Sequence, residues 1–184
     1  MRIAFIVYDN MTMLDFIGAF DPITRLKELS YLPDLSWQIV AETDIIKDAN
    51  GLSIKADLIS PDLSNFDMIY VPGAKEICRD ESFIKWIKTS AKCPLKVSVC
   101  TGSLILGLAG FLKGKKATTH PNAYDELATY AEVVKNKRIV DEDDVITARG
   151  VSASLDLGLY LCKKLAGHDA ALYIAGIMDY EHYK

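Results

Sequence analysis

Short apolar runs alternate with amphipathic stretches along most of this 184-residue chain, and that alternation restricts its fold more than any other feature. Residues 2–8, 37–41, 68–71 and 95–99 read as strands, and helical spacing of apolar residues returns at 81–92, 104–111 and 152–165. Strands that are apolar on both sides need cover on both faces, which crossover helices give to a parallel sheet. The expected architecture is therefore α/β, a three-layer sandwich around a mostly parallel sheet.

One domain over residues 1–184 fits the length, which suffices for a single hydrophobic core. Apolar residues make up 50% of the chain, which excludes a disordered polymer. No apolar stretch approaches the ~20 residues of a membrane span. The net charge of -4 comes without a basic stripe, which argues against nucleic acid and for a small-molecule partner. The opening strand ends at Asp9-Asn10 without a small-residue cleavage site, so it does not read as a signal peptide. Cys78, Cys93, Cys100 and Cys162 lack zinc-type spacing and read as reduced thiols, in keeping with a cytoplasmic location and with no metal or cofactor.

Pro22 fits most easily in the first turn of a helix, where its missing N–H has no partner to lose. The first helix is therefore expected from about Gly18 to Leu29, with Asp15 before it. Asn50-Gly51 marks a hairpin-type turn, and residues 57–66, with Pro61, read as a polar loop. Farther on, 117–119 reads as a short strand, 122–130 as a helix, and 139–140 with 145–148 as a strand pair about an acidic turn.

The segment richest in chemistry is Val97-Ser98-Val99-Cys100-Thr101-Gly102-Ser103. A buried strand there meets small residues that permit a tight turn into a helix. The side chain at 100 then stands at the carboxyl edge of the sheet, where open α/β folds bind ligands. The N–H groups that open the helix favour a thiolate, so Cys100 is expected to face solvent with a pKa below the free value of about 8.5. On the turn alone, a buried small hydrophobe is an equal alternative. Cys93 beside Pro94, Cys162 on an apolar helix side and Cys78 after the Gly73 turn read as structural.

Cys100-Thr101-Gly102-Ser103-Leu104 does not stand alone. With Leu14-Asp15-Phe16-Ile17-Gly18, Val71-Pro72-Gly73, Leu112-Lys113-Gly114-Lys115-Lys116-Ala117-Thr118-Thr119-His120 and Ala148-Arg149-Gly150-Val151-Ser152-Ala153, it makes the chain resemble the ThiJ/PfpI superfamily. The resemblance covers nearly the whole length and is nearest to isonitrile hydratase-like members. It implies a flavodoxin-like, class I glutamine amidotransferase-like sandwich and a homodimer. By the same resemblance the nucleophile matches Cys100, its acidic partner Asp15 and the neighbouring threonine Thr101, while the backbone at Gly73 and Ala74 helps to polarise a substrate or to hold an oxidised sulfur. Thr101 stands where protease-like members carry His, and Asp15 where deglycase-like members carry Glu. Ala74, Ala19 and Pro121 depart from the glycine, proline and tryptophan of many relatives.

The activity so implied is hydration of an isonitrile to an N-substituted formamide through a thioimidate on Cys100, with Asp15 as acid and base. Apolar Leu14 and Phe16 should raise the pKa of Asp15, which could also cap a helix. His120 is expected to orient substrate or bond to backbone, Asp156 to be a buried, hydrogen-bonded support, and His168 and His182 to lie on the surface. Residues 16–20 offer an apolar face for dimerisation. The same residues also suit a non-enzymatic sensor of oxidative stress or of a ligand, acting through oxidation of Cys100. A third reading is the ligand-binding portion of a transcription regulator, although no helix-turn-helix segment is evident in this sequence to contact DNA.

Overall fold

The apolar strands pair as their composition demands. A computed structural model describes residues 1–181 and 183. Along the chain run β1 (Arg2–Ile6), α1 (Met13–Glu28), β2 (Ser36–Ala41), β3 (Ile45–Lys47), β4 (Ser53–Lys55), β5 (Leu58–Ile59), β6 (Met68–Val71), α2 (Glu81–Lys88), β7 (Leu95–Val99), α3 (Gly102–Leu108), β8 (Lys116–Ala117), α4 (Tyr124–Leu127), β9 (Glu132–Val133), β10 (Ile139–Asp141), β11 (Val145–Ala148), α5 (Ala153–Ala166) and α6 (His168–Ile177). One sheet takes the order β10-β11-β7-β6-β1-β2-β5 and is parallel except for its β10–β11 pair. β6 and β7 are buried along their whole length, as strands covered on both faces are. α1, α5 and α6 pack on one another, and α3 packs on α2 and α4, which completes the expected three-layer, flavodoxin-like sandwich.

The chain steps outward from β1 to β2 and β5, then returns across β1 to β6 and β7. That reversal opens a crevice at the carboxyl ends of β1 and β6, the place where doubly wound sheets bind ligands. The hairpin expected at Asn50-Gly51 joins antiparallel β3 and β4. The strand expected at 117–119 is β8, which pairs with β9 outside the main sheet.

Three expectations need correction. First, α1 starts at Met13 and carries Pro22 in its interior. Pro22 leaves the Gly18 carbonyl without an intrahelical donor, and α5 presses on this weak point. A Cβ built on Gly158 would lie 2.4 Å from Pro22 Cγ and 3.1 Å from the Gly18 oxygen. Packing against α5 thus carries the helix across its proline, and Asp15 falls inside the first turn of α1. Second, residues 57–66 hold more than a loop. β5 pairs with Val40 and Ala41 of β2, and Asp62 caps a short 3₁₀ turn. Two paired residues are too few for strand alternation to show in a sequence. Third, residues 16–20 are mostly interior. Phe16 and Ala19 are buried, with the Phe16 ring 5.8 Å from that of Phe5, and only Ile17 is exposed.

α6 has no counterpart in the sequence reading; Gly167, at φ 93°, separates it from α5. His168 is exposed at its start, as expected, while His182 lies outside the described residues. Cys93 and Cys162 are buried free thiols. Among the described residues, no helix is long and apolar enough to cross a membrane.

The α1–α5 contact gives a direct test. Gly158→Val should lose about 1–3 kcal/mol by overpacking, seen as a lower Tm in thermal denaturation. Gly176→Ala, where an added Cβ meets nothing, should leave Tm unchanged or raise it by the equivalent of up to about 1 kcal/mol.

Candidate active site

Four strand ends converge at the carboxyl edge of the sheet, with Tyr8 after β1, Gly73 after β6, Cys100 after β7 and Gly150 after β11. Cys100 adopts φ 55°, a left-handed conformation that costs a residue bearing a side chain roughly 1–3 kcal/mol. Hydrogen bonds at both its N–H and its carbonyl hold it there. Its N–H donates to Ala148 O at 3.0 Å, and its carbonyl accepts from Thr119 Oγ1 at 2.8 Å and Ser103 Oγ at 3.2 Å. A Cβ on Gly150 would lie 2.5 Å from Cys100 Sγ, so only glycine leaves room for the sulfur.

Asp15 approaches the same sulfur from α1. Its side chain is fully buried; Oδ2 accepts the Gly73 N–H at 3.1 Å, while Oδ1 has no hydrogen-bond partner. The surrounding backbone is pinned: Tyr70 donates to Asp15 O at 2.8 Å, and Ser154 Oγ donates to Leu14 O at 3.0 Å. A helix N-terminus lowers a carboxyl pKa, but desolvation wins here. Burial lifts Asp15 to about 7, against the opposing pull of Cys100 and the Gly73 N–H. Burial, and then the Asp15 charge, push the Cys100 thiol up to about 12, against the N–H and hydroxyl of Thr101.

These values belong to a coupled pair. Because burial pushes both groups up, the pair retains a proton near neutral pH. When Asp15 holds it, the carboxylate charge that raises the thiol is gone. Oδ1, which has no other partner, is the oxygen free to carry it.

The low-pKa, solvent-facing thiol expected from the turn is therefore corrected. Cys100 is 5% exposed, α3 spans only seven residues, and desolvation with the Asp15 charge outweighs the helix end. The sulfur nonetheless reaches a cavity of about 670 Å³, whose wall includes Thr101, Ala74, His120, Leu104 and Val151. Thr101 Oγ1 accepts the Ala74 N–H at 2.9 Å and donates to Ala74 O at 2.6 Å. The amides of Gly73 and Ala74 are thus committed to Asp15 and Thr101, and they shape the site through those side chains. His120 Nδ1 accepts the Asn122 N–H at 3.2 Å, which leaves the ring hydrogen on Nε2.

The DJ-1/PfpI family model matches residues 1–164. The chain belongs to the DJ-1/PfpI family. Isonitrile hydratase of Pseudomonas putida is 31% identical over 185 residues, covering 98% of this chain and 78% of that protein. A ThiJ/PfpI family protein from Pseudomonas syringae superposes with a TM-score of 0.87 at 30% identity, over 98% of this chain and 75% of that one. DJ-1beta of Drosophila melanogaster, at 18% identity, shares the fold with a TM-score of 0.84 over 98% of both chains. The HTH-type transcriptional regulator CdhR of Pseudomonas aeruginosa is 24% identical over 93% of this chain, which spans about half (52%) of that regulator.

Within this DJ-1/PfpI chain, Asp156 is hydrogen-bonded as expected, accepting from Arg138 and, at 2.9 Å, from the Tyr180 hydroxyl, but it is half-buried where a buried support was expected. Among the described residues, no cluster of three or more metal-ligating side chains occurs. Sequence reasoning passed over Tyr8, Tyr70 and Ser154. Tyr8 donates to Pro72 O at 2.9 Å, and its position closing the first strand was the available signal. For Ser154, 140 residues from Leu14 along the chain, there was none.

Asp15 holds its proton more tightly in the folded chain, at about 7, than at its ordinary 3.8. The stability it contributes is fully present below pH 3.8 and is lost as pH rises through about 7, a change of about 4 kcal/mol. Asp15→Asn has no proton to lose and keeps an acceptor for Gly73. It should melt higher than the wild type near pH 8.5, with the gap closing toward pH 4, in melts recorded across that range.

Proposed function

We propose that this DJ-1/PfpI protein hydrates isonitriles to N-substituted formamides, R–NC + H2O → R–NH–CHO. The observation that carries the reading is the buried Cys100–Asp15 pair, which keeps a transferable proton beside a sulfur that opens on a cavity. The likeness to an isonitrile hydratase supports it.

The terminal carbon of an isonitrile is basic, and protonation makes it electrophilic. In the tautomer with the proton on Asp15, the carboxyl delivers that proton to carbon and the Cys100 thiolate forms the C–S bond. The product is a thioimidate, R–N=CH–S, beside an ionised Asp15. Asp15 next takes a proton from water as the hydroxide adds to the same carbon. The hydroxyl proton passes to nitrogen, the C–S bond breaks toward sulfur, and the formamide leaves with the pair restored. The Thr101 N–H, which already favours negative charge on the sulfur, stabilises it as it departs.

A non-enzymatic sensor would need a standing thiolate for oxidation, and burial works against one. The hydration uses a thiolate too, but only transiently and with its proton held on the neighbouring Asp15, which is the proton the buried pair retains.

Formamide release from a panel of alkyl and aryl isonitriles, followed by mass spectrometry, tests the reading. Cys100→Ala should abolish turnover, and Asp15→Asn should lower kcat by about 10²–10⁴. Formation that either variant leaves untouched, or stoichiometric Cys100 oxidation by dilute peroxide with no formamide from any isonitrile, overturns the assignment.

A further inference from the structure

The wall of the cavity is not uniformly built. Residues 75–79, between β6 and α2, make no backbone–backbone hydrogen bond. Ile77 and Cys78 rest half-buried on the core, and the segment meets the opposite wall through the Arg79 guanidinium, which pairs with Glu126 Oε1 of α4 at 2.6 Å and also hydrogen-bonds to Tyr130. Glu76, Ile77 and Arg79 also line a second cavity of about 480 Å³, which includes Tyr8 and Phe83, whose rings lie 5.3 Å apart. The same short segment therefore separates two spaces, only one of which contains Cys100.

The charges on the Cys100 cavity cancel, Lys75 and Arg79 standing against Glu76 and Glu126. Such a wall does not select a charged ligand, and discrimination falls to size. Arg79 and Glu126 are 51% and 37% exposed, and a pair this wet favours its closed form by no more than about fivefold. The tether closes the wall yet releases readily.

We propose that the Arg79–Glu126 ion pair is a latch that decides how large an uncharged N-substituent reaches Cys100. Its release lets residues 75–79 move aside and join the second cavity to the first. The inference rests on the isonitrile reading for the identity of the substrate, while the latch itself acts on any molecule bound for the sulfur.

The test uses two thiol reagents, small iodoacetamide and a bulky fluorescein maleimide, in a Cys78→Ser background, with labelling of Cys100 read by peptide mass spectrometry. Arg79→Ala should speed the bulky reagent about three- to fivefold, the reach of an exposed pair, and leave iodoacetamide within about 1.5-fold. Glu126→Ala should shift the bulky rate in the same direction. The exchanged pair, Arg79→Glu with Glu126→Arg, should bring that rate back toward the starting value. With isonitriles, Arg79→Ala should raise kcat/KM for bulky uncharged substrates relative to small ones. An unchanged bulky rate in Arg79→Ala, equal acceleration of both reagents, or an exchanged pair that stays fast overturns the latch. Should the reagents behave as described while no isonitrile is hydrated, the latch stands and the assigned reaction fails.

Discussion

A carboxyl group sealed from water beside a thiol is the constraint around which this molecule is organised. Asp15 has no solvent exposure, and only one of its oxygens meets a hydrogen-bond donor. A carboxyl in that position resists ionisation, since desolvation disfavours the charged form by several kcal/mol. The fold tolerates it because the elements on either side cannot move away. Tyr70 and Ser154 tie down the main chain at Asp15 and Leu14, and Gly73 supplies the one N–H. The same tension keeps a proton available near neutral pH, so the energetic liability and the chemistry share one origin.

The sulfur is held by a comparable compromise. The left-handed turn at Cys100 is strained, and hydrogen bonds to the end of β11, to Thr119 and to Ser103 fasten it. Strain of this kind survives only where the surroundings over-determine it. Here they do, because β7 is a central strand flanked by β6 and β11, and all three strands end at the site. Rigidity at the reacting atoms contrasts with the outer wall, where residues 75–79 lack backbone partners. The centre is fastened by hydrogen bonds to the main chain of Cys100, whereas the rim is joined across the cavity by side chains.

Much of the fold was legible in the chain. Buried parallel strands advertise themselves as unbroken apolar runs, so β1, β6 and β7 could be read directly, as could the turn at Cys100. The start of α1 could not. Pro22 obeys a local rule that α5 overrides through the close approach of Gly158, a contact between segments far apart in sequence. β5 escaped notice because two residues carry no period. At the candidate site, the sequence named Cys100, Asp15 and Thr101, the resemblance to a known family paired them, and the structure brings them together. The direction of the thiol pKa was misjudged, because a helix end is visible in sequence whereas the burial that outweighs it is not.

Residue order alone determined that this chain makes a parallel α/β sheet with a cysteine at a strand-to-helix turn, since apolar periodicity and small residues act over a few neighbours. Only the tertiary structure decided that Asp15 is fully buried, that the amides of Gly73 and Ala74 are spent on side chains, and that Arg79 meets Glu126 across the cavity. Those facts depend on desolvation and on contacts between distant segments. Both are properties of the packed molecule, and no local stretch of sequence encodes them.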